Sequence, residues 1–407
     1  VAADALALLA AAAWAGLLSW RGRYWSTAVG LPPPAGSPRG PEGEEPAPWP
    51  SLGVVVPARN EAGLLPATLP RLLSQEYPGR AHVVVVDDSS TDGTADVARQ
   101  VARRARPGRD LSLSVVEGRA RPAGWAGKPW AMAQGVEHLR RYFGPQWLLF
   151  TDADIAHPPG SFRQLVGSAR ASGRSAVSLM ANLYDPATAP TACERLLLAA
   201  FVYFFAQLYP FHWVNDPTRR TAAAAGGCLL VEAEALSRAG GIEAIAGNTI
   251  DDIALAKALK RSRANIWLGL AGAGRPPGQA PAVLSLRRYR GLQGVWEMVA
   301  RNAYTQLRHN PALLVATAAS MGVAYVSPPL LALGGLASRR PLASAAGFAA
   351  WAAMAATFAP MARHYRAPVV AGPSLPAVAA LYTAMTISSA WRHYHRRATA
   401  DGLPPTG

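Results

Sequence analysis

The sequence predicts an α/β domain built on a mostly parallel sheet, with apolar helices at both ends of the chain. Three observations predict it. Short β-branched runs alternate with helical patterns between about residues 51 and 309. The runs are continuously apolar and end in polar clusters, as strands covered on both faces do. Charge disappears from residues 5–20 and from long stretches after residue 310.

The first apolar stretch, "ALALLAAAAWAGLLSW" (5–20), ends in Trp20, and Arg21 and Arg23 follow it. A secretory signal carries its positive charge before the apolar run and a small-residue cleavage site after it. Here the order is reversed, so residues 1–30 read as a retained anchor whose C-terminal side faces the cytoplasm. Residues 31–50 are rich in Pro, Gly and Glu and read as a linker.

"LGVVVPARN" (52–60) is the first strand, and Leu64, Leu65, Leu69, Leu72 and Leu73 mark the helix after it. "HVVVVDDSSTDGT" (82–94) is a second strand ending in Asp87-Asp88, with a helix around 95–105. "LSLSVVEG" (111–118) is a third strand, 128–143 a helix, and "QWLLFTDAD" (146–154) a fourth strand. Strands joined through helices form right-handed parallel crossovers. Ligands in such sheets bind beyond the carboxyl ends of the strands. That brings "PARNE" (57–61), "DDSSTDGT" (87–94) and "TDAD" (151–154) to one rim. No Gly-x-Gly-x-x-Gly follows the first strand and no Walker Lys-Ser/Thr occurs, which argues against a dinucleotide dehydrogenase and a P-loop ATPase.

The aromatic-rich run 196–213 reads as an interfacial or acceptor-side helix within the 51–309 domain. Downstream, 310–338, 341–362 and 367–391 carry no charge, and each exceeds the ~20 residues that span a bilayer. Residues 310–397 therefore read as transmembrane segments, with Tyr325, Trp351, Tyr382 and Trp391 as interfacial anchors, and 398–407 as a tail. Three crossings would put "SRR" (338–340) and "RHYHRR" (392–397) outside, against the positive-inside bias. A re-entrant hairpin broken at Pro328-Pro329 would return both to the cytoplasm.

The chain carries 40 Lys+Arg against 25 Asp+Glu, a formal charge of +15. Such an excess points to an acidic partner. No basic run with interleaved aromatics forms a nucleic-acid platform, so an anionic membrane surface and phosphate are the partners expected. Cys193 and Cys228 form neither a disulfide framework nor a metal cluster.

"VVVPARNE", "VVVVDDSSTDGT", "GKPWAMAQG" and "TDAD" occur in order and resemble the successive motifs of family 2 glycosyltransferases, which have the GT-A fold. The likeness covers about residues 50–260. "LLLAAFVYFFAQLYPFHWVNDPTRRTAAAAGGCLLV", "IDDIALAKALK" and "RNAYTQLRHNP" narrow it to the hopene-associated branch, found with hopanoid lipid biosynthesis. One departure bears on function: the Gln-x-x-Arg-Trp of processive synthases is replaced by "RNAYTQLRHN" (301–310), which lacks the Trp and favours a single transfer to a lipid.

Asp152 and Asp154 form a D-x-D pair at a strand end. On spacing alone they fit a solvated loop or helix cap as well as a Mg²⁺ or Mn²⁺ site bridging phosphates. The resemblance implies the cation site, with Asp152 nearer the sugar or ribose and Asp154 the more direct metal contact. It also implies that Asp88 reads the uracil edge, that Pro57, Arg59 and Glu61 frame the nucleoside, and that Lys128 meets the diphosphate at a helix N-terminus. Asp92-Gly93 reads as a turn and helix start. Asp251 and Asp252 open a helix with an apolar side at Ile253, Leu255, Ala256 and Leu259. Asp252 matches the family's base and Asp251 replaces its usual Glu, while a plain helix cap is the competing reading. A helix dipole would lower a carboxylate pKa there.

These readings converge on a membrane-bound, inverting, hexosyltransferase-like enzyme that takes sugar from a nucleotide donor, UDP-linked by resemblance, to a lipid acceptor of hopanoid type. It would be a multi-pass protein of the bacterial cytoplasmic membrane with its catalytic domain in the cytoplasm. Transfer to polyprenyl phosphate or polysaccharide is the alternative enzyme reading. A nucleotide-sugar-sensing transport or scaffold protein is the non-enzymatic one.

Overall fold

The strands are β1 Leu52–Ala58, β2 Ala81–Asp87, β3 Leu111–Glu117, β4 Trp147–Phe150, β5 Ile155–Ala156, β6 Ala176–Met180, β7 Leu229–Glu232, β8 Ile266–Leu270 and β9 Leu284–Ser285. They belong to a computed structural model that describes residues 1–31, 48–105, 110–183, 185, 188–273, 282–368 and 370–400. Most of the expected linker (32–47) and most of the expected tail (401–407) lie outside the described residues.

Seven strands form one sheet in the order β3-β2-β1-β4-β7-β6-β8, and β5 and β9 form a second, two-stranded sheet. β1 pairs in parallel with β2 and β4, β2 with β3, and β6 with β8; β7 alone runs antiparallel to its neighbours β4 and β6. This is the mostly parallel α/β sheet expected. Val54–Val56 and Val83–Val86 are fully buried, consistent with helices on both faces. The helices Leu65–Leu73, Thr94–Arg104 and Gly127–Tyr142 lie where the apolar periodicity requires, and Leu65, Leu69, Leu72 and Leu73 bury the apolar stripe of the first.

The strand order reverses between β1 and β4, and a crevice opens at that switch point. β1 pairs with β4 only from Leu52↔Trp147 to Val55↔Phe150. Val55 O accepts from Thr151 N, so the nitrogen of Pro57, two residues on, faces the same side, beyond the end of β4. The missing N–H of Pro57 therefore leaves no ladder bond unmade, as proline in a strand requires.

The described chain divides into two compact units. One comprises Thr27–Asp185 and Phe211–Arg287 and contains both sheets. The other comprises Val1–Ser26, Pro186–Pro210 and Arg288–Gly407 and is helical in its described parts. The boundaries differ from the 51–309 domain expected from sequence. The run 196–213 is the helix Ala192–Leu208, opened by a Thr191–Glu194 capping box and stopped before Pro210. It is a core helix of the helical unit. Leu197, Leu198 and Tyr203 are buried, Tyr203 packs edge-on against Phe358, and its hydroxyl lies 2.9 Å from Thr357 Oγ1.

Among the described residues three helices are long and apolar enough to cross a bilayer: Ala2–Trp20, Pro311–Ala337 and Pro341–His364. The hairpin considered for 310–338 does not form. A π-helical turn, Gly322–Val326, sits just ahead of Pro328-Pro329 and carries the helix through them, with Ser327 Oγ donating to Val323 O at 2.8 Å. The third C-terminal stretch is the helix Ala371–Ala400, which is not among the three. Ser374, Thr383, Thr386, Ser388 and Ser389 dilute its apolar character. Small residues let these helices approach closely: a Cβ on Gly347 would come within 2.5 Å of Ala332 N.

Candidate functional site

The polar clusters that end β1 and β2 are laced together. Asn60 N donates to Ser90 Oγ and Thr91 N to Asn60 Oδ1, both at 2.9 Å. Glu61 N donates to Thr94 Oγ1 at 2.8 Å and Ala62 N to Asp92 Oδ2 at 3.0 Å. Asn60 and Ser89 take left-handed backbone angles, φ 56° and 55°, that turn the chain at the rim. Asp92 also receives Thr94 N at 3.0 Å beside Gly93 (φ 82°), the turn and helix start read from the sequence.

The D-x-D segment is fixed from beneath. Thr68 Oγ1 donates to Ala153 O at 2.7 Å. Thr151 Oγ1 donates to Gly227 O at 3.0 Å and lies 2.9 Å from His157 Nε2. With its one proton committed, Thr151 must accept from His157, so His157 carries its proton on Nε2 and accepts on Nδ1 from Ser161, 3.1 Å away. Burial lowers the His157 pKa to about 4, which keeps this ring neutral.

Pro57, Lys128, Asp152, Asp251 and Asp252 line one cleft with Gly226, Thr151 and Leu255. Lys128, in the first turn of Gly127–Tyr142, reaches Asp152 Oδ1 at 2.7 Å and Asp251 Oδ2 at 3.2 Å. Burial acts to lower the Lys128 pKa, but Asp152 and Asp251 outweigh it and hold the ammonium charged. Burial raises the Asp152 pKa against the pull of Lys128. Asp252 lies in the first turn of the helix Asp251–Arg261: Oδ2 accepts from Gly226 N, outside the helix, at 3.0 Å, and Oδ1 from the helix's own Ile253 N at 2.7 Å. Burial first, and the neighbouring Asp251 second, push its pKa up to about 7. The expected helix-dipole lowering is outweighed.

The other site residues fall into two groups. Arg59 Nη1 lies 3.5 Å from Asp88 Oδ2, and Asp88 lies against Gly127, where a Cβ would come within 2.9 Å of that oxygen. Glu61 and Asp154 both turn to Arg287. Arg287 Nη2 pairs with Glu61, and Asp154 Oδ2 accepts from Arg287 Nε at 3.2 Å and from Ser285 Oγ at 2.8 Å. Burial raises the Glu61 pKa against the opposing Arg287. Sequence reasoning missed Ser285 and Arg287 because β9 is only two residues long; the basic run "SLRRYR" is their one trace.

Among the described residues no three His, Cys, Asp or Glu side chains converge to hold an ion. Asp152 and Asp154 offer oxygen alone. That incomplete set suits a hard cation that keeps water and phosphate among its ligands, as Mg²⁺ does.

Residues 53–207 match the sequence profile described as Glycosyl transferase family 2. An N-acetylglucosaminyltransferase of Mesorhizobium japonicum is 40% identical over 73 residues, 18% of this chain and 16% of that protein. A 4,4'-diaponeurosporenoate glycosyltransferase of Staphylococcus haemolyticus is 32% identical over 105 residues, 26% of this chain and 24% of that protein. The chain thus aligns with a quarter or less of the length of these curated relatives. The mannosyltransferase PcManGT from Pyrobaculum calidifontis, solved in complex with GDP-Man and Mn²⁺, matches over 96% of this chain and 99% of its own, with a TM-score of 0.50 and 21% identity. The chain has the α/β GT-A fold with candidate membrane helices, and its residues 53–207 carry the glycosyl transferase family 2 pattern.

Proposed function

We propose that this protein is a membrane-bound inverting glycosyltransferase that moves a sugar from a nucleotide donor, UDP-linked, to a lipid acceptor of hopanoid type. The observation that carries the reading is the cleft itself: Lys128 joins Asp152 at the strand end to the buried Asp251, beside the half-buried Asp252. The family 2 match supports the donor class, and the motif resemblance supports the acceptor. The three bilayer-length helices support a seat in the bacterial cytoplasmic membrane, with the sheet-bearing unit on the cytoplasmic side.

Asp88 meets the base edge, and Pro57 and Arg59 frame the nucleoside. Glu61, turned to Arg287, supports that rim. Lys128 faces the diphosphate with the N-terminus of its helix behind it. The acceptor hydroxyl oxygen attacks the anomeric carbon as the bond to the diphosphate oxygen breaks. Its proton passes to Asp252, and the nucleoside diphosphate leaves with the bonding electron pair. One base and no protein nucleophile give direct displacement, hence inversion. Asp154, with Asp152 beside it, would hold a divalent cation, Mg²⁺ or Mn²⁺, which when bound offsets charge on the departing diphosphate.

Mass spectrometry of lipids from cells with and without the gene, followed by donor screening, tests this reading. A glycosylated lipid that disappears with the gene supports it, and identical lipid profiles overturn it.

A further inference from the structure

Asp154 is held with unusual completeness for a residue on a binding rim. Its Oδ2 accepts from Ser285 Oγ at 2.8 Å and from Arg287 Nε at 3.2 Å. A carboxylate oxygen offers roughly two lone-pair sites, so these two donors saturate it. Oδ1 accepts no hydrogen bond among the described residues. The backbone is pinned as well: Leu286 N donates to Asp154 O at 2.8 Å, and Ile155 pairs with Ser285 across β5 and β9. Asp154 is 7% exposed and Ser285 3%. Arg287 is fixed in turn, because its guanidinium also pairs with Glu61, whose backbone is tied to Thr94.

We infer that Ser285 and Arg287 make Asp154 a one-oxygen ligand and thereby bias the cation site towards small octahedral ions and against Ca²⁺. The inference rests on the proposed metal role of Asp154. Ca²⁺ takes six to eight oxygens in flexible geometry and readily accepts both oxygens of one carboxylate, whereas Mg²⁺ demands a near-octahedral shell. A freely turning Asp154 can present both oxygens, and the clamped one presents Oδ1. The charge of Arg287 acts alike on any divalent ion, so the Mn²⁺-to-Ca²⁺ preference isolates geometry from electrostatics.

The test uses the full chain in detergent, with UDP and in parallel GDP, reading free Mn²⁺ by electron paramagnetic resonance while Ca²⁺ competes. Ser285→Ala and Arg287→Met should each lower the preference for Mn²⁺ about tenfold, in the range typical of residues that orient metal ligands. Arg287→Lys should do the same, since a lysine keeps the charge but lacks the planar fork that reaches both carboxylates. In an Asp154→Ala background none of these changes should move the preference further. An unchanged preference in Ser285→Ala and Arg287→Met, or an equal fall without Asp154, overturns the inference. If the unaltered protein binds no Mn²⁺ with either nucleotide, the metal role of Asp154 fails and the inference fails with it.

Discussion

Replacing Asp252 by Asn keeps the size of the side chain and removes its basicity. Asp252 Oδ2 accepts from Gly226 N at 3.0 Å and Oδ1 from Ile253 N at 2.7 Å, so an amide keeps one of these bonds and sets its NH2 against the other donor. The groups proposed to hold the nucleotide are untouched, so donor binding should survive. Loss of a positioned general base costs about 10²–10⁴-fold in rate, or roughly 3–5 kcal/mol of transition-state stabilisation. Activity of the unaltered protein should also depend on pH. With the Asp252 pKa raised to about 7, kcat/KM should climb through neutrality. About one pH unit below that value only ~10% of the carboxylate is ionised, and activity should fall in proportion. Stability should move the other way. The folded pKa lies above the unfolded one, so the stability this group contributes is full below about pH 4 and lost as pH rises through about 7. The Asn variant escapes that loss and should melt higher than the unaltered protein at about pH 8, but not at about pH 4. The assay is radiolabelled sugar transfer with parallel thermal denaturation across pH. Unchanged turnover, or an activity profile flat between about pH 6 and 8, refutes Asp252 as the base.

Lys128→Met should leave Asp152, Asp251 and Asp252 without their shared counter-charge. The expected loss is about 1–3 kcal/mol, less than for a fully buried pair because Lys128 and Asp152 are 33% and 36% exposed. Thermal denaturation should show a larger loss at high pH, where the carboxylates are ionised, and donor affinity should fall. In Gly226→Ala the new Cβ would sit 3.0 Å from Lys128 Nζ and 3.4 Å from Asp252 Oδ2. It should push the Lys128 ammonium aside while leaving Asp252 in ordinary contact, and so raise the donor KM more than it lowers kcat, which steady-state kinetics can separate. Asp154→Ala should abolish the metal dependence of donor binding; calorimetry with and without a chelator checks this, and equal sensitivity to chelator in both proteins argues against the assignment.

β1, β2 and β4 were legible because each is an apolar run closed by a polar cluster, and β3 because Leu111, Leu113, Val115 and Val116 mark a strand closed by Glu117, signatures that depend little on distant partners. β6, β7 and β8 were not. Each has only four or five residues, and β7 is defined by antiparallel partners that lie about 50 to 80 residues away in sequence. The same distance explains Arg287, which reaches Glu61 across 226 residues and Asp154 across 133. Helix ends were readable and helix allegiance was not: Ala192–Leu208 looks like a surface segment until Tyr203 meets Thr357 and Tyr382 reaches Leu197 O at 2.8 Å. Within the cleft, it is the family resemblance that pointed to Lys128, Asp152 and Asp252, since their spacing alone fits loops and helix caps as well. The Gly226 amide that holds Asp252 came only from the fold, since backbone donors leave no mark in a sequence.

Sugar transfer at this cleft is tested by reconstituting the full chain in lipid vesicles, supplying radiolabelled UDP-sugars and GDP-sugars in turn with a hopanoid-containing lipid extract, and counting label in the organic phase. The unaltered protein should label a lipid in a Mg²⁺- or Mn²⁺-dependent way, and Asp252→Asn should label none. No labelled lipid with any donor, or equal labelling by the variant, would contradict it.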